Sequence, residues 1–123
     1  MSMVAHLNLL PGVAGASPSG GGYRLDLADG TSRAATEAEV LDAAKAVRIA
    51  GINAECRSRL VARYGTAEEQ VSRSLGIYGT AARDAMIAGI ADTIDASNTA
   101  TDAILAAATI EAVEAVTVAW PVI

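Results

Sequence analysis

At 123 residues the chain is the size of one domain, and 52% of it is hydrophobic, yet it contains no Phe and only four aromatic residues, Tyr23, Tyr64, Tyr78 and Trp120. Ala supplies much of the apolar content. A buried Leu or Ile contributes about 1.5–3 kcal/mol, whereas Ala buries one methyl group, so a core of this kind depends on close helix approach and favours oligomerisation. The net charge of −5 excludes nucleic acid or an anionic membrane as a bulk partner, because phosphate binding needs a positive field.

The charge is unevenly placed. All nine basic residues lie at or before Arg83, and the stretch after it carries Asp84, Asp92, Asp95, Asp102, Glu111 and Glu114 with no Lys or Arg. Two readings fit this polarity: an Arg-bearing helix docking on an acidic one, within the chain or between copies, or a solvated acidic face. Cys56 is the single cysteine and His6 the single histidine, so neither an intrachain disulfide nor a zinc site is expected, and synthesis in a reducing cytoplasm fits. The apolar start, residues 1–16, lacks a positive n-region and is interrupted by His6, Asn8 and Pro11, which argues against a signal peptide. The most apolar window near the end holds Asp102, Glu111 and Glu114, which argues against a membrane span.

In chain order, residues 4–10 alternate loosely, as a short strand would, until Pro11-Gly12 stops them. Residues 13–22 are Gly, Ala, Ser and Pro with one Val and little to bury, and read as a flexible loop. Tyr23-Arg24-Leu25-Asp26-Leu27 alternates strictly, which predicts a half-buried strand ended by Asp29-Gly30. The two strands can pair as a hairpin across the Gly-rich loop, or the segment can add a strand to a neighbour's sheet.

A first helix is predicted to start at Thr36, which with Glu39 forms a capping box, and to stop at Tyr64-Gly65. Val40, Ala44, Val47, Gly51, Ala54, Ser58 and Val61 keep a 4-3-4-3-4-3 spacing, a heptad-like seam of small residues, with Leu41, Ile49, Ile52, Cys56 and Leu60 on adjoining faces. Thr66 with Glu69 forms a second capping box for a short helix over residues 67–75, and Gly76 and Gly79 bracket a turn. A third helix is predicted over residues 80–108. Ile87, Ile90, Ile94, Ser97, Thr101, Ile104 and Ala108 recur at 3-4-3-4-3-4, with Asp92, Asp95 and Asp102 on the opposite arc. Beyond Ala108 the phase changes, so a new segment starts near Thr109. Trp120-Pro121-Val122-Ile123 ends the chain as a hydrophobic plug on its own core or as a docking tag.

The sequence offers no catalytic, cofactor or metal site. Ser19-Gly20-Gly21-Gly22 lacks the Gly-Lys-Ser/Thr ending of a phosphate loop and precedes a strand. His6, the single histidine, lies near the amino end, whereas a Ser/His or Cys/His pair needs it held against a nucleophile, and Cys56, although close to Arg57 and Arg59, lies among apolar helical neighbours as a buried cysteine does. Asp92, Asp95 and Asp102 form a helical ridge, whereas calcium requires a wrapping loop. Arg57, Arg59 and Arg63 suggest a basic patch, but Glu55 stands four residues before Arg59 and no aromatic ladder accompanies them.

One stretch carries a resemblance. Ile52-Asn53-Ala54-Glu55-Cys56-Arg57-Ser58-Arg59-Leu60, followed by Gln70, Tyr78, Met86, Ile94-x-x-Ser97 and Trp120-Pro121, resembles small helical proteins encoded in the tail gene clusters of bacteriophages, over residues 48–123. The resemblance implies a virion or tail-assembly component without catalytic residues.

The resulting expectation is a mainly α chain, a helical hairpin or bundle that forms a homo-oligomer, with a short β-hairpin or extended arm over residues 1–35 and a helical domain over residues 36–123. Its function would be a non-enzymatic structural component of a virion, tail- or fibre-associated, made in the host cytoplasm. The alternative is a tail or tail-fibre assembly chaperone absent from the mature particle. Ile87, Ile90, Ile94, Thr101, Ile104, Ala108, Val47 and Ile52 are the expected seam contacts, and Trp120, Tyr23, Leu25 and Leu27 the expected contacts of the tail and arm. Other virion or tail proteins are the expected partners.

Overall fold

The computed structural model describes residues 2–122. It is mainly helical with a small antiparallel sheet, in the order α1 (Met3–Leu7), β1 (Val13–Ser19), β2 (Gly22–Leu27), β3 (Ser32–Ala34), α2 (Glu37–Tyr64), α3 (Ala67–Ser74), α4 (Thr80–Ala106) and α5 (Ile110–Ala115). The chain divides into two compact units, Met1–Gly51 with Ile104–Val116, and Ile52–Ala103 with Thr117–Ile123. Ile123, the last residue of the expected tail, lies outside the described residues.

In the first unit the start of the chain corrects the expectation of a strand over residues 4–10. Ser2 caps a helical turn by accepting from the Ala5 N–H at 3.0 Å. Met3, Leu7 and Leu10, spaced by four and three, then turn toward one cluster. That spacing outweighs the loose alternation, because Leu7 becomes fully buried. Residues 13–22 are likewise not a loop: β1 pairs antiparallel with β2 from Val13↔Leu27 to Ser19↔Gly22. The two-residue connection is Gly20-Gly21, both at positive φ (55° and 83°), the conformation that a tight hairpin turn asks for. A bulge between Val13 and Gly15 lets Val13 and Ala16, three apart, face the same cluster.

The strand over residues 23–27 stands as expected from its alternation, within β2. The short third strand, which the sequence reading did not anticipate, pairs Asp26↔Ser32 to Arg24↔Ala34 and places the sheet in the order β1-β2-β3. Its turn is held by Asp29, whose carboxylate accepts from the Thr31 N–H at 2.9 Å and the Thr31 hydroxyl at 2.6 Å. These bonds lower the Asp29 pKa, the Thr31 hydroxyl contributing most. Leu7, Leu25 and Ala43 form the buried centre of the cluster, with Met3, Leu10, Val13, Ala16, Tyr23, Leu27 and Ala35 around it. Each fully buried Leu contributes about 1.5–3 kcal/mol, which holds a sheet too small to stand alone.

Helix α2 begins at the capping box read from the sequence. The Glu39 N–H donates to the Thr36 hydroxyl at 3.1 Å and the Thr36 N–H donates to the Glu39 carboxylate at 2.9 Å. It ends where Gly65 takes φ 84° and donates its N–H to the Val61 carbonyl at 2.8 Å. Still in the first unit, α4 ends at Ala106, two residues before the expected limit, and Thr109 caps α5 by accepting from the Ala112 N–H at 3.1 Å. Val113 of α5 is buried.

The second unit takes its buried residues from two helices, Ile52 and Cys56 of α2 and Met86, Thr93, Ser97 and Ala100 of α4. The two approach closely where the Tyr64 hydroxyl lies against Gly89, at a place that a Cβ on residue 89 would occupy. Thr66 and Glu69 form the capping box of α3, and the Gln70 amide donates to the Gly65 carbonyl at 2.9 Å, which fixes α3 to the end of α2.

Candidate interaction surfaces

Helix α4 carries two apolar lines, and the fold buries only one of them. Met86, Ile90, Thr93, Ser97, Ala100 and Ile104, spaced 4-3-4-3-4, are buried or half-buried. The seam expected from the sequence shares Ile90, Ser97 and Ile104 with this line, but its other members lie one residue later, at Ile87, Ile94, Thr101 and Ala108. At about 100° per residue those positions sit round the helix from the buried line. Ile87 is 51% exposed and Ile94 41% exposed, Thr101 is half-buried, and Ala108 lies exposed beyond the helix end. The buried line tolerates the Thr93 hydroxyl because a short side chain can bond back to its own helix: it donates to the Gly89 carbonyl at 2.8 Å.

On α2, Val47 is half-buried and Ile52 fully buried. The small-residue seam inferred from the sequence is half-buried at Val40, Ala44 and Val47, but Gly51, Ala54, Ser58 and Val61 are exposed, while Ile52 and Cys56 turn inward. Of the expected arm contacts, Leu25 is fully buried in the first unit's own core and Tyr23 and Leu27 pack beside it, so Leu25 has no surface left for a partner. Trp120 is half-buried beneath Arg59, whose guanidinium carbon lies 4.8 Å from the ring centroid. Arg59 also holds Glu55 at 3.0 Å, the i,i+4 pair expected from the sequence.

Two surface features went unremarked in the sequence reading. Between α3 and α4, Leu75, Ile77 and Tyr78 are 73%, 65% and 67% exposed on a turn whose ends are set by Gly76 and Gly79, at φ 77° and 102°. Ile77 and Tyr78 inside the Gly-bounded turn, with Leu75 just before it, are a signal that could have been read: the turn lacks the polar composition of a solvated loop. Within the first unit, a groove of about 660 Å³ runs between the hairpin turn, the first turns of α2 and the start of α5. Its apolar wall includes Ala38, Val40, Leu41 and Ile110, and Glu37 and Glu111 line it.

Several charged side chains anchor the backbone and the helix caps. Arg33 of β3 holds Glu39 of the α2 cap through two bonds of 2.7 and 2.9 Å. Arg33 and the Thr36 N–H together pull the Glu39 carboxyl from 4.5 down to about 2, and the same pairing raises the Arg33 pKa. Lys45 and Arg48 of α2 each donate to a backbone carbonyl, at Leu105 (2.9 Å) and Val116 (3.1 Å). Cys56 is buried. Among the described residues no group of three or more His, Cys, Asp or Glu is placed to hold a metal ion, and no helix is long and apolar enough to cross a membrane. The accessible surface features are the Ile87/Ile94 line, the Leu75–Tyr78 turn and the groove. Compared with known protein families, curated proteins and solved structures, the chain matches none.

Proposed function

We propose that the chain is a non-enzymatic structural component of a bacteriophage virion, tail- or fibre-associated, whose helices build a homo-oligomeric assembly and dock on other virion proteins. The observation that supports this reading is the accessible pair Ile87 and Ile94, seven residues apart on α4 and outside the line that the chain buries for itself. Large apolar side chains repeated at heptad spacing form the seam between helices of different chains, and left bare they cost solubility. The resemblance of residues 48–123 to tail-cluster proteins supplies the setting.

Light scattering of the wild type and of Ile87→Lys/Ile94→Lys tests the oligomer. A wild-type mass above one chain that falls in the variant, with helical circular dichroism retained, is the expected result; an unchanged mass would remove the α4 line from the assembly. Mass spectrometry of purified particles tests the setting. Presence in the particle is expected, and its absence there combined with binding to a tail or fibre protein would mark an assembly chaperone instead.

A further inference from the structure

We infer that the exposed turn Leu75–Tyr78 of one copy seats in the groove of a second copy, giving the proposed oligomer a head-to-tail contact. This inference rests on the oligomeric reading above and specifies one of its interfaces. The turn offers three large apolar side chains, Leu75, Ile77 and Tyr78, each about two thirds exposed or more. Gly76 and Gly79, at φ 77° and 102°, let the chain turn so that these side chains face outward. The groove is apolar along Ala38, Leu41 and Ile110, and its volume of about 660 Å³ lies in the range of roughly 300–1,000 Å³ that side chains and ligands of this size fill.

Charge selects the occupant. Glu37 and Glu111 line the groove, and no Lys or Arg does. Arg73 stands in the last turn of α3, directly before the apolar turn, and makes no ion pair among the described residues. A second copy thus brings an apolar group and a cation together, the two features that the groove complements. The groove and the turn are different patches: repeated head to tail, the contact generates a ring or a filament, and made reciprocally it closes a two-fold dimer through two such contacts.

Disulfide trapping tests this on the full-length chain. In a Cys56→Ala background, Tyr78→Cys and Ala38→Cys are made separately, with Leu9→Cys, exposed and outside both patches, as a collision control. Under mild oxidation a one-to-one mixture of the Tyr78→Cys and Ala38→Cys chains is expected to give a covalent dimer at least tenfold faster than either chain alone or than Tyr78→Cys mixed with Leu9→Cys. A chain carrying both cysteines is expected to be trapped as well, as a ladder of larger species for a propagating contact or as dimers alone for a reciprocal one. Arg73→Glu in the Tyr78→Cys chain should slow trapping several-fold, and Glu37→Arg in the Ala38→Cys chain should restore it.

Trapping no faster than the control, in a protein that light scattering shows to be oligomeric, overturns this contact and leaves the oligomer standing. Dimerisation of Tyr78→Cys alone at the rate of the mixture also overturns it, in favour of a two-fold contact between turns. A wild type that is monomeric by light scattering removes both the contact and the oligomeric reading.

Discussion

The Arg48 guanidinium of α2 donates to the carbonyl of Val116, 68 residues further along, at 3.1 Å, and Val116 is the C-cap of α5. Three residues earlier Lys45 donates to Leu105 in the last turn of α4 at 2.9 Å. The last carbonyls of a helix lack partners within it and carry the negative end of its dipole, so a cation is well placed there. The basic residues of α2 thereby serve the acidic half of the chain through its backbone. Replacing Arg48 by Met should cost about 1–2 kcal/mol, since a half-buried charge-assisted bond is lost, and Lys45→Met less than about 1 kcal/mol at its more exposed site. Urea unfolding of the two variants checks the order.

The contact between Gly89 and Tyr64 predicts a change of sign. Gly→Ala inside a helix gains up to about 1 kcal/mol from propensity. Here the new methyl meets the Tyr64 hydroxyl and lies 2.9 Å from the ring carbon that bears it, so Gly89→Ala should destabilise by about 1–2 kcal/mol. With Tyr64→Leu already made, the same substitution should become stabilising. Thermal unfolding of the four proteins of this cycle decides it; Gly89→Ala stabilising with Tyr64 present would mean that the ring moves aside at no cost.

The Arg33–Glu39 pair ties stability to acid. The Glu39 pKa is lower in the folded chain, so its contribution is full above its ordinary value of 4.5 and is lost as pH falls toward about 2. Asp29, lowered by its bonds to Thr31, acts in the same direction. Unfolding free energy should therefore decline between pH 4.5 and 2, and the decline should be shallower in Glu39→Gln. At pH 7 the Arg33→Met/Glu39→Gln double-mutant cycle should give a small favourable coupling that shrinks as salt is added, because Arg33 faces solvent.

The two lines of α4 should respond differently to truncation. Ile104→Ala, at a fully buried site, should cost about 2–5 kcal/mol. Ile94→Ala and Ile87→Ala should change the stability of the isolated chain by less than about 1 kcal/mol and act on assembly instead. Chemical denaturation at low protein concentration, paired with light scattering at high concentration, separates the two effects.

These contrasts mark what was legible in the sequence. Both capping boxes, Thr36 with Glu39 and Thr66 with Glu69, were readable because a cap is made by residues three apart and needs nothing distant. The stop at Gly65, the strand at residues 23–27 and the new segment at Thr109 are local for the same reason. The start of the chain was misread because loose alternation over residues 4–10 competed with the 4-3 spacing of Met3, Leu7 and Leu10. Only the cluster with Leu25 and Ala43 that Leu7 and Leu10 join decides for the helix. Strand β1 escaped notice because Gly, Ala, Ser and Pro carry little strand propensity, and pairing with Tyr23–Leu27 supplies what they lack.

The sequence by itself determined the main helices, their caps and the uneven distribution of charge, since these depend on neighbours within a turn or on composition. The tertiary structure decided which line of α4 is buried. Lines one residue apart are about 100° apart on the helix, and each holds enough apolar residues to serve. Burial of Thr93 and Ala100 in place of Ile94 and Thr101 is therefore set by what the facing elements present and not by hydropathy along the helix. The same holds for the turn at Leu75–Tyr78: its residues are as apolar as a core, and only the placement of the surrounding helices leaves them outside.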